Sequence, residues 1–86
     1  MAEFNAGYEI VKSETYLIGA DDKESRIVLG EHKGENFTQY ATWECVRHPE
    51  DGTADYFWGH YFDKGHQAMA DYHRRLADHY CPSDEG

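Results

Sequence analysis

The run Tyr56-Phe57-Trp58-Gly59-His60-Tyr61-Phe62 limits the fold of this chain more than any other segment. Aromatic side chains favour extended backbone, and a strand sends alternate side chains to opposite faces. Strict alternation puts Tyr56, Trp58, His60 and Phe62 on one face and Phe57, Gly59 and Tyr61 on the other. A strand over Asp55 to Phe62 with rings on both sides is therefore expected in the interior of a sheet. Helical periodicity follows at once. Asp63 has the side chain to cap a helix N-terminus, and the pattern from Lys64 to Tyr80 places Ala68, Met69, Tyr72, Leu76 and Tyr80 along one stripe. Gln67, Asp71, Arg74, Arg75 and Asp78 fall on the opposite side. Cys81-Pro82 ends the helix, because proline disfavours helical geometry in the residue before it, and an acidic tail follows.

Upstream, turn chemistry cuts the chain into strand-length pieces. Tyr8 to Leu17 has enough β-branched and aromatic alternation for a first strand, preceded by a loose lead-in over residues 1–7. The polar cluster Gly19 to Ser25 separates it from the short apolar run Arg26 to Gly30. Another turn, His32 to Asn36, leads to Phe37 to Arg47, the clearest β segment. His48-Pro49-Glu50-Asp51-Gly52 then joins this strand to the aromatic one in a hairpin with a longer loop. The expected fold is α+β: an antiparallel sheet of three to four strands with one C-terminal amphipathic helix on one face.

At 86 residues the chain suits a single domain, 1–86, with 1–7 and 81–86 as loose termini. Such a chain buries only about 60–65% of its unfolded surface, so two Trp, seven Tyr and four Phe matter to its core. Seventeen acidic residues against eight Lys and Arg leave a formal charge of -9. That charge repels phosphate backbones and anionic membranes, which argues against direct nucleic-acid or membrane binding. It suits a solvated surface, or a face for a basic partner. In its strongest form such a face imitates DNA towards a nucleic-acid-binding protein. Neither a secretory leader nor a long apolar run is evident, so the expected compartment is the cytoplasm, with both cysteines as free thiols.

Six histidines are the compositional anomaly. His60, His66, His73 and His79 gather near Cys81, and a small metal-binding or catalytic domain built on these five residues is the alternative reading. Chelation from one helix needs spacings of three or four residues; His66 and His73 are two turns apart, about 10 Å along the axis. Zinc also wants four ligands, and no Cys-x-x-Cys pair completes the set. Neither cysteine sits in a nucleophile signature, and no phosphate-binding glycine loop, GxSxG or HExxH occurs. No cofactor is expected.

The stronger pointer is aromatic. Tyr40, Trp43, Tyr56, Trp58 and Tyr61 lie on adjacent expected strands, and one helix covers only one sheet face. They form either ordinary cross-strand packing or a partly exposed platform that binds protein, a second copy of the chain included. The burial of Trp43 and Trp58 decides between these.

The sequence of Val28-Leu29-Gly30, Ala41-Thr42-Trp43, Tyr56-Phe57-Trp58-Gly59-His60-Tyr61-Phe62 and a helix ending near Arg74-Arg75 resembles a group of short uncharacterised bacterial proteins with a TW...YWGHYF pattern. The resemblance spans roughly residues 26 to 76. It implies a recurring unit, carried on phage or other mobile elements, and brings no activity, site residue or cofactor. The resulting expectation is a non-enzymatic interaction protein that binds another protein, basic or itself nucleic-acid-binding, through an acidic surface and an aromatic sheet face.

Overall fold

The computed structural model describes residues 3–80. Its strands are β1 (Phe4–Asn5), β2 (Tyr8–Ile18), β3 (Glu24–Lys33), β4 (Thr38–His48) and β5 (Thr53–Phe62), followed by α1 (Gly65–Tyr80). The strands lie in the sheet in chain order, each antiparallel to the next. The α+β class, the antiparallel sheet and the single C-terminal helix match expectation. The strand count does not: there are five among the described residues. The additional strand, β1, arises in the segment expected to be loose, with Phe4 opposite Glu9 and Asn5 opposite Tyr8. Ala6 and Gly7 close it at φ 53° and 85°. Positive φ at both central residues is the twist that a two-residue hairpin needs. Alanine at the first of these positions conceals the turn from a sequence reading. Cys81 and Pro82, expected to stop the helix, lie outside the described residues.

β3 and β4 form the centre and pair without interruption from Glu24 opposite Arg47 to Lys33 opposite Thr38. One face of this pair receives the helix: Ile27 and Leu29 bury against Ala68, Tyr72 and Leu76, with Tyr16, Tyr40, Phe62 and Met69 around them. Each large apolar side chain buried here contributes about 1.5–3 kcal/mol. The helix begins at Gly65, one residue later than expected: the Lys64 carbonyl, not the Asp63 side chain, stands at its first turn and accepts from the N–H groups of Gln67 and Ala68. The buried stripe is also wider than expected. Asp71 and Arg75, assigned to the solvent side by periodicity, are buried, while Tyr80 is exposed. The Tyr80 hydroxyl instead donates to Glu14 and to the Thr15 carbonyl, tying the helix end to β2.

The opposite face has its own core of Val28, Ala41, Trp43 and Cys45, with Tyr8, Ile10, Ala54 and Tyr56 at its margin. The molecule is 17 Å through its thinnest axis, room for one helix on one sheet and no further layer. Trp43 is nonetheless only 3% exposed. Glycines on both neighbouring strands make this burial feasible. A Cβ at Gly30 would stand 2.8 Å from Trp43 Cζ3, and one at Gly59 2.6 Å from Trp43 Nε1. The indole therefore lies down on the sheet over two bare stretches of backbone. Tyr8, Tyr56 and Tyr61 approach it edge-on, with ring centroids 5.4, 6.1 and 6.0 Å away, the arrangement that aromatic quadrupoles favour.

β5 corrects a second expectation. It is the edge of the sheet, paired only with β4, and its rings lie partly in solvent instead of between layers. Its alternation is also broken. His60 pairs with Thr42 and Phe57 with Glu44, so an extra residue is accommodated opposite Trp43. This bulge puts Tyr56 and His60, which strict alternation places together, on opposite faces: Tyr56 packs beside Trp43, and His60 reaches the helix. Among the described residues no helix is long and apolar enough to cross a membrane.

Candidate functional site

Trp58 occupies the bulge at φ 56°, and it is 70% exposed. Left-handed backbone costs an L-residue about 1–2 kcal/mol, so most proteins place glycine at such a position. Here glycine comes one residue later, at Gly59. Phe57 packs edge-on against the indole at 5.3 Å. The carbonyl of Trp58 is held from the helix side by Arg75, whose Nη2 donates to it at 2.5 Å.

Arg75 is itself held by a buried charge network. Asp71 is 4% exposed and Arg75 8%. The Asp71 carboxylate accepts from Thr42 Oγ1 at 2.6 Å and Arg75 Nε at 3.2 Å, lies 3.0 Å from His60 Nδ1, and pairs with Arg74 through its other oxygen. Burial pushes the Asp71 pKa up, but the bonds from Thr42, His60 and Arg74 outweigh it and hold the carboxyl below its ordinary range. An ionised Asp71 thus links β4, β5 and α1 and fixes the guanidinium that grips the bulge. Arg75 Nη1 is buried without a hydrogen-bond partner among the described residues.

These elements enclose an open cleft of about 510 Å³ lined by Glu44, Trp58, His60, Arg74, Arg75 and Asp78. Asp78 is exposed, and Glu44 meets only His79, at 3.8 Å, in the ion pairs of the described residues. With Asp71 engaged by both arginines, the cleft keeps one exposed carboxylate, Asp78, and one held by His79 and Tyr16, Glu44, in a lining that includes Trp58.

The expected aromatic platform is divided. Trp43, Tyr56 and Tyr61 share the face away from the helix, where Trp43 is sealed and Tyr61 exposed. Tyr40 packs on the helix face, and Trp58 stands at the edge. The histidines of the alternative reading are also dispersed. His60 is bound to Asp71, His73 meets Tyr72 edge-on, and His79 stacks on Tyr16 at 3.7 Å. His66 joins neither an ion pair nor an aromatic pair of the described residues, and no three His, Cys, Asp or Glu side chains among these residues are placed to hold a metal ion. Cys81 lies outside the described residues. Cys45 is 1% exposed, and burial raises its thiol pKa against the opposing bond from Arg26, a setting that suppresses thiolate chemistry.

Asp71, Arg74 and Arg75 were not among the sequence candidates. Their signal was present: an acid with arginines three and four residues later, immediately beside the apolar positions Ala68 and Tyr72. Compared with protein-family models, curated proteins and solved structures, the chain finds no significant match in any of the three.

Proposed function

We propose that this domain is a non-enzymatic protein-binding module that docks a basic partner against the β5 edge, with Trp58 as its anchor. The observation that carries this reading is the exposed Trp58 in a left-handed bulge, held by Arg75 and through it by buried Asp71. A strained, solvent-facing tryptophan weakens a free domain, and strain of this kind gathers where a ligand is met. Tryptophan is also the residue that most often dominates a protein interface. The outer side of β5 offers unpaired backbone groups to an extended segment, and the formal charge of -9 draws basic partners.

Wild type, Trp58→Ala and Tyr61→Ala, immobilised and offered the same lysate at low and high salt, test this reading. A partner held by wild type and Tyr61→Ala, lost from Trp58→Ala and released by salt, is the expected result. Equal retention by all three proteins, or retention that salt does not touch, overturns it.

A further inference from the structure

Resting on that docking surface, we propose that the cleft beside Trp58 receives an arginine side chain of the partner, stacked on the indole and paired with Glu44 and Asp78. Three features of the cleft converge on this chemistry. Its own guanidinia, Arg74 and Arg75, are both engaged by Asp71, so two cations stand against the three carboxylates of Asp71, Glu44 and Asp78, and the surplus is negative. Asp78, which joins no ion pair of the described residues, and Glu44, held only by His79 and Tyr16, line the same cleft as Trp58, its one large aromatic residue, and such a combination attracts a cation through the ring quadrupole and through charge together. Finally, Arg75 Nη1 is a buried donor on a side chain lining the cleft and lacks an acceptor among the described residues. Because this nitrogen is closed to solvent, a backbone carbonyl of the same partner segment can supply one only as the cleft wall shifts to admit it.

Arginine fits better than lysine. A planar guanidinium stacks on an indole and donates bidentate bonds to a carboxylate, whereas an ammonium is a strongly hydrated point charge. A second copy of this chain fits worse than a basic partner, because each copy brings a formal charge of -9.

The two indole N–H resonances of the ¹⁵N-labelled chain provide the readout. The probe is the capped tripeptide Val-Arg-Val, compared with its lysine counterpart and with a citrulline counterpart that keeps the shape and loses the charge. The arginine peptide is expected to shift the Trp58 resonance saturably and leave that of Trp43 in place. The citrulline peptide should bind about tenfold more weakly, the loss of one charge-assisted contact, with lysine between them. Asp78→Asn and Glu44→Gln should each weaken the arginine peptide about threefold or more; Asp78 is exposed, so its variant carries little risk to folding. Citrulline binding as well as arginine, or no saturable shift at Trp58, overturns the assignment.

Two outcomes separate this failure from failure of the docking surface. If Trp58→Ala loses the lysate partner while arginine and citrulline peptides bind alike, the surface stands and the arginine assignment falls. If Trp58→Ala captures as wild type does, the surface falls with it. A dimer seen by sedimentation that Trp58→Ala disperses gives the cleft to a second copy and also overturns the proposal.

Discussion

Replacing Trp58 by glycine and, separately, by alanine isolates the cost of its backbone geometry. Both changes remove the same indole, so the lost contacts with Phe57 and the cleft cancel in the comparison. What remains is φ 56°. An alanine there bears the left-handed penalty of about 1–2 kcal/mol. Glycine escapes that penalty but loses about 0.5–1 kcal/mol more chain entropy on folding. The glycine variant is therefore expected to be more stable than the alanine variant by about 0.75 kcal/mol, the difference between the middles of the two ranges. At an ordinary strand position the order is reversed, so the sign alone is diagnostic. Urea unfolding measures it directly, because both variants keep Trp43 as their one tryptophan, buried in the sheet, as the reporter on the core. With a urea slope of about 1 kcal/mol/M for a chain this small, the midpoints should differ by about 0.75 M. An alanine variant as stable as the glycine variant, or more stable, refutes the strained bulge and with it the main support for Trp58 as an anchor.

Other expectations follow from the same geometry. Gly59→Ala places a methyl group against the Trp43 indole and should cost about 1–3 kcal/mol by overpacking, read as a lower melting temperature and a changed near-ultraviolet dichroism of Trp43. Asp71→Ala leaves the Arg75 guanidinium buried without its carboxylate, a loss of about 3–5 kcal/mol that denaturant melts should show as near-complete loss of cooperative folding. The depressed pKa of Asp71 gives stability that is fully present above its unfolded value of about 3.9 and fades as pH falls through the lower folded value. Acid titration of Asp71→Asn should lack that part of the fall. Glu3→Ala removes the carboxylate that pairs with buried Arg26 and accepts from Tyr56; the cost, about 1.5–3 kcal/mol, should appear in thermal unfolding.

The sequence reading succeeded where local chemistry and periodicity agreed. Phe37 to Arg47, Pro49 to Gly52 and the helical stripe of Ala68, Tyr72 and Leu76 each carried a short-range signal, and the class of the fold followed from them. It failed where a long-range contact reversed a local preference. Asp71 and Arg75 look like solvent residues until Thr42 and His60, from two different strands, are brought beside them. Alternation along β5 looks regular because a tryptophan, not a glycine, sits at the left-handed residue of the bulge. β1 escaped notice because the turn that makes it begins with Ala6. The candidate site combines the buried pair on the helix with the bulge of β5, and so only Trp58 and His60 of its residues stand among the sequence candidates, each for a different reason.

The seat of Trp43 has a consequence for how such a sequence can drift. Residues 30, 43 and 59 come from three strands, yet they share one volume, so a gain at any one of them must be matched by a loss at another. A descendant that acquires a side chain at position 59 survives more readily if position 43 has first become smaller. Order of change then matters as much as outcome. The trio should be inherited as a unit, while the strand residues around it vary one at a time.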